Sequence, residues 1–319
     1  MNLDDIFINR NGRIRSGWRF MLFMLAFIFF GALFGGPAMA VLSALQIDYN
    51  DNSLLYMFVN HSISLFIAIV LGWLCGKFLE DLPFRALGAY FNGNWLKDLL
   101  LGLLIGAVSI GLAVLIAMSS GGLTFSFNST HGTSAILLTL GVSFAVFTVA
   151  AAFEEAFFRG YILQTFARAN LAWMAIIMTS LFFAAAHLQN SGANIISSIN
   201  TGLAGIWFGV AYMKTRNLWF AFGIHFIWNW LQGAVFGIEV SGITNVTTAP
   251  VLREIDSGPA WLTGGEYGIE GGIACTMAII FSTALIYFLP ILKPTEEMLA
   301  LTSEEKPKDV VLTDNVRNF

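Results

Sequence analysis

FTVAAAFEEAFFRGYILQ, residues 147–164, is apolar on both sides of an adjacent acid pair, Glu154 and Glu155, and places Arg159 four residues after the second acid. Its reading decides where those charges sit. A helix that ends near residue 153 leaves them at a membrane surface. One that continues past Arg168 carries them into the apolar interior. Helical periodicity separates the two acids in either case. Residues four apart share a face, so Glu155 and Arg159 are expected to pair, which lowers the electrostatic cost of a partly buried carboxylate. Glu154 is rotated by about 100° and is left to meet a group from another helix.

The rest of the chain sets the environment of this stretch. Of 319 residues, 57% are hydrophobic and 11% charged, against about 25% charged in ordinary soluble domains. That composition requires a lipid-embedded, all-α chain. With 20 acidic and 16 basic residues, nucleic acid is not an expected partner; the lipid bilayer is. About 20 apolar residues are needed to span a bilayer. Eight segments qualify, at 20–45, 54–76, 97–118, 134–153, 171–189, 195–213, 218–238 and 270–292. In an eight-span arrangement, 15 of the 16 Lys and Arg residues fall on one side and only Arg253 on the other. The positive-inside rule then places both termini in the cytoplasm. Residues 1–19 are expected to form a basic cytoplasmic N-terminus, 20–292 the membrane domain with its core at 134–238, and 293–319 a polar, flexible cytoplasmic tail.

Other features are weighed against plain structural roles. Ala38-Met39-Ala40 follows a basic and then apolar run, as at a signal-peptide cleavage site, but the run is long and stays apolar to Leu45. Cys75 and Cys275 lack metal-ligand spacing and are expected in the core. Asn60, Asn128 and Asn245 open N-x-S/T triplets, which occur commonly by chance. The glycine pairs Gly102/Gly106 and Gly205/Gly209 are expected to let helices pack closely within the chain.

Ionisable groups inside a membrane are costly and mark functional sites. Besides the acid pair, the spans hold His187 in FAAAH, behind Phe183, and His225 and Asn229 in HFIWN. Each of these last two pairs shares a helix face. His61 and His131 are expected at loop ends, without chemistry. Glu154 with His187 could hold and deprotonate a water molecule, while His225 and Asn229 donate hydrogen bonds to the oxyanion formed at a peptide carbonyl. The chain has no G-x-S-x-G nucleophile motif, which favours water as the nucleophile. Glu154, His187 and His225 would also make a zinc set of two histidines and one glutamate. Without an H-E-x-x-H signature the metal-free, cofactor-free version is favoured.

EEAFFR (154–159), FAAAH (183–187) and HFIWN (225–229) resemble, in order and spacing, the motifs E-E-x-x-x-R, F-x-x-x-H and H-x-x-x-N/B of the CPBP family of intramembrane proteases. That family includes the CAAX prenyl proteases and bacteriocin-processing or self-immunity proteins. The resemblance implies an eight-helix membrane fold with a cavity. It also implies that Glu154 and His187 activate water, that His225 and Asn229 stabilise the oxyanion, and that Glu155, Arg159 and Phe183 support them. Substrates of prenyl type are generally lacking in bacteria. The compact chain, without an ER-retention signal, reads as a bacterial inner-membrane member acting on a peptide or membrane-protein segment. Two other functions compete, a non-catalytic membrane scaffold or immunity protein and an ion-coupled transporter. A transporter would spread polar groups across the full membrane depth, whereas here they gather in the fourth, fifth and seventh segments.

Overall fold

The protein, seen in a computed structural model, is described over residues 4–47, 53–89, 91–243 and 246–305. Asn245 and the tail residues Lys306, Lys308 and Arg317 lie outside these. Helix occupies each of the eight expected positions: α1 (Ser16–Ala44), α2 (Ser53–Glu80), α3 (Trp95–Ser119), α4 (Thr133–Arg168), α5 (Ala172–Ala186), α6 (Ile195–Thr215), α7 (Leu218–Trp230) and α8 (Ile273–Phe288). Five of them, α1, α2, α3, α4 and α6, are long and apolar enough to cross a membrane. The 13 to 16 residues of α5, α7 and α8 fall short of the usual length. A π-helical turn, Leu231–Val235, extends α7 directly. Ala38-Met39-Ala40 lies within the helical run of α1.

The sequence places the end of the fourth span at 153, and the structure moves it. Thr133–Arg168 is one run of 36 residues, α-helical to Glu155, π-helical over Ala156–Ile162 and α-helical again to Arg168. Arg159, counted above among the loop cations, is therefore fully buried within the helix. The longer α4 also brings Glu154 level with His187. Glu154 lies 14 residues before the end of α4, and His187 lies 15 residues after the start of α5, across the short turn that joins them. At 1.5 Å per residue both stand roughly 20 Å from that turn.

Two ends of the bundle are distinct. At one end, Arg19 and Arg168 flank the buried carboxylate of Glu80, each at 2.8 Å, and Arg13 pairs with Asp81. The first residues after α8 belong to this end as well. Glu296–Thr302 is a short helix, α9, capped by Thr295, and Glu305 pairs with Arg19. At the other end β1 (Leu123–Phe127) pairs antiparallel with β2 (Leu252–Asp256), Phe125 opposite Glu254. These ends are called the basic end and the ribbon end below.

Glycines set the closest helix contacts, all within the chain. A Cβ on Gly102 of α3 would come 2.4 Å from the Phe220 carbonyl oxygen of α7, and one on Gly205 of α6 would come 2.7 Å from Ser180 of α5. Between α3, α6 and α8, Ser109 and Trp207 both donate to the Ser282 hydroxyl, at 2.8 and 3.0 Å. Gly102→Ala should accordingly force α3 from α7, at the 1–3 kcal/mol typical of overpacking, and lower the thermal midpoint by about 5 °C. Gly111→Ala in the same helix, with no atom within 4 Å, should lower it not at all. Thermal unfolding of the purified protein in detergent checks both.

The ribbon carries a pH-sensitive group outside the helical spans. Burial, then Glu239 and Asp256, push the Glu254 carboxyl up to about 8. The folded protein thus holds this proton more tightly than the unfolded chain, whose glutamates titrate near pH 4.3. The resulting stabilisation is complete below that value, declines as pH rises and is lost above pH 8. Thermal midpoints measured from pH 4.5 to 8.5 should therefore fall for the wild type and fall less for Glu254→Gln.

Candidate active site

The fold brings the three motif segments to one cavity. Glu154 from α4, His187 at the C-terminus of α5, and His225 and Asn229 from α7 all line it, as does Phe183. About 70 Å³ is open to the centres of water-sized molecules, several times the room that one water needs. Met57, Phe147, Trp207 and Phe208 supply apolar wall.

Each acid has its own environment. Glu155 is buried, and its Oε1 accepts from Arg159 Nη1 at 3.1 Å, the expected i,i+4 pair. The same oxygen lies 2.9 Å from His225 Nδ1, a bond that no local pattern signals. Arg159 also donates to the Gly205 carbonyl at 3.0 Å and sits among the rings of Phe158, Phe183 and Phe208. The three aromatic faces and the carboxylate replace the water that a guanidinium would otherwise require. Glu154 differs: its side chain keeps 19% of its surface accessible, and its Oε2 lies 3.6 Å from His225 Nε2. The two adjacent acids thus flank opposite nitrogens of one imidazole. Glu154 is expected from the sequence to turn toward His187. The imidazole within ion-pair range of it is instead that of His225, and His187 shares the cavity.

Hydrogen bonding fixes how the imidazoles can act. His187 Nδ1 is 2.8 Å from the Phe183 carbonyl, which can only accept, so Nδ1 carries hydrogen and the neutral ring has its lone pair at Nε2. The Phe183 ring also packs against it, centroids 4.8 Å apart, so one residue holds the imidazole by backbone and side chain. For His225, donation to the Glu155 carboxylate requires hydrogen on Nδ1. A second donor at Nε2 then exists only in the imidazolium. Phe208 stacks on this ring at 4.5 Å.

Several contributors escape sequence reading. Phe208 lies in GIWFG, which signals only close packing. Asn200, Ser241 and Glu270 line the cavity too. An acid in GIEGG, at the first position of an expected span, was the one available sign of Glu270. His61, expected at a loop end, instead lies inside α2 with its ring against Phe153, 5.7 Å between centroids, because α2 begins at Ser53. His131 bonds to Asn128 in the loop before α4. Among the described residues, no three His, Cys, Asp or Glu side chains stand close enough together, as placed, to hold a metal ion.

Residues 135–231 match the family model described as Type II CAAX prenyl endopeptidase Rce1-like, a family of membrane proteases. The matched segment contains all three motifs. Comparison with curated proteins and with solved structures gave no match. The apolar helices and the family match together make the chain an integral membrane protein.

Proposed function

We propose that this chain, CAAX-protease-like over residues 135–231, is an intramembrane endopeptidase that hydrolyses a peptide bond with water activated in the cavity. One observation carries the reading: Glu154, His187, His225 and Asn229, from three separate helices, all line the same small cavity. Glu154 takes a proton from the water, while His187 Nε2 accepts its other hydrogen and orients it. The hydroxide adds to the carbonyl carbon. The Asn229 amide and, when it carries hydrogen, His225 Nε2 then donate to the oxyanion, where fixed donors contribute most in a water-poor site. Glu154 passes its proton to the departing amine, so the proton ledger closes. Glu155 keeps Nδ1 of His225 occupied, and Arg159 balances its charge.

The substrate is a peptide or a membrane-protein segment that reaches the cavity from the bilayer. We place the protein in a bacterial inner membrane with eight spans, the basic end and both termini in the cytoplasm, which would expose Arg253 and the ribbon to the opposite side.

The test uses purified protein in nanodiscs with two quenched fluorescent probes, a farnesylated Cys-a-a-X peptide and a hydrophobic transmembrane peptide. Cleavage of either, at a rate unchanged by 1,10-phenanthroline, is the expected result. A rate lost to the chelator and restored by zinc would overturn the metal-free mechanism.

A further inference from the structure

Glu270 lies outside the motif-bearing segment, on the short turn before α8, yet it is part of the cavity wall. Its carboxylate is held by three donors from two other parts of the chain. Trp228 Nε1 donates to Oε1 at 3.2 Å, and the backbone N–H and hydroxyl of Ser241 donate to Oε2 at 2.6 and 2.7 Å. Trp228 is the residue before Asn229 and lies three residues after His225. Ser241 has a positive φ of 50°, which a non-glycine residue adopts at a cost, so the turn at 240–243 depends on such bonds.

The same serine reaches the other histidine. Asn190 Nδ2 donates to the Ser241 carbonyl at 2.9 Å, and the Asn190 N–H bonds to the His187 carbonyl at 3.1 Å. The turn and the Glu270 segment are built to lie together. A Cβ on Gly268, φ +85°, would fall 1.8 Å from the Glu239 carbonyl oxygen. From the opposite side, Asn200 of α6 fixes the Glu270 segment, donating to the carbonyls of Glu270 and Gly272 at 2.8 and 2.9 Å.

We propose that Glu270 is a positioning residue for this site: its carboxylate straps the 240–243 turn to the helix bearing His225 and Asn229 and, through Asn190, to the turn bearing His187. The inference rests on the reading that the cavity is catalytic. Its consequence is that segments separated by 38 residues, His187 and His225, are held at one spacing by a chain segment that the family match does not include.

Glu270→Gln in the full chain tests this. An amide offers one oxygen where the carboxylate offers two, so either Trp228 Nε1–H or the Ser241 donors must face another N–H. Amide hydrogen exchange in nanodiscs should accelerate on the order of tenfold in 187–194 and 238–243 and stay unchanged in α1 and α2. Ser241→Ala should act alike, and the double variant should be no worse than the stronger single one. With a cleaved probe peptide, kcat should fall at least about tenfold in Glu270→Gln while KM stays within about twofold, the pattern of misplaced groups rather than lost binding. Unchanged exchange in 187–194, or acceleration spread evenly over all helices, overturns the proposal. Exchange is read without substrate, so it judges the strap even if no probe is cleaved, an outcome that would count against the peptidase reading alone.

Discussion

Glu154→Gln should lower kcat by about three orders of magnitude and leave the protein folded. The amide retains the shape of the side chain and removes its ability to accept a proton, and general-base contributions lie in the range of 10² to 10⁴. Little stability depends on this charge. Glu154 is the accessible member of the acid pair, and His225 Nε2, at 3.6 Å, is beyond hydrogen-bonding distance of it. The thermal midpoint should therefore stay within about 2 °C of the wild type, since the substitution keeps the side chain's shape and, among the described residues, removes no hydrogen bond to Glu154. A kcat measurement on a cleaved probe, paired with thermal unfolding of the same preparation, checks both parts.

Arg159→Met should show the reverse order of effects. Its guanidinium is fully buried and bonded to Glu155 and to the Gly205 carbonyl. Removing one partner of a buried pair leaves the other uncompensated, at a cost of about 3–5 kcal/mol. At roughly 2–4 °C per kcal/mol the midpoint should drop by about 10 °C. Activity should fall as well, through His225, because the Glu155 oxygen that pairs with Arg159 also holds Nδ1 of that ring. Adding Glu155→Met should recover part of the lost stability, since the stranded carboxylate is gone. It should recover no activity, since Nδ1 of His225 then has no acceptor. Midpoints and rates of the three variants separate a charge that holds the helix from one that acts on substrate.

What was legible in the sequence, and what was not, follows from distance along the chain. The Glu155–Arg159 pair, the shared face of His225 and Asn229, and the shared face of Phe183 and His187 are local, and helical periodicity alone predicts them. The glycine pairs were equally readable, because a missing Cβ announces close packing whichever helix fills the space. The continuation of α4 through Arg168 was only half-legible: apolar residues run on, but two acids and an arginine resemble a membrane boundary. Aromatic rings around Arg159, drawn from α4, α5 and α6, make its burial affordable, and no single segment reveals them. For the same reason the sequence turns Glu154 toward His187, whereas the tertiary structure sets both acids about His225. Glu270, Ser241 and Asn190 were out of reach because their bonds join segments 29 and 51 residues apart.

Hydrolysis of peptide bonds in the cavity is tested more directly by the membrane proteome than by probe peptides. Cells producing the wild type and Glu154→Gln at equal levels should be compared by mass spectrometry of protein N-termini. Peptide hydrolysis by this site predicts new N-termini, within or beside apolar segments of membrane proteins, in the wild type alone. Identical sets of N-termini in the two strains would contradict the claim and leave a protein that binds its partners without cutting them.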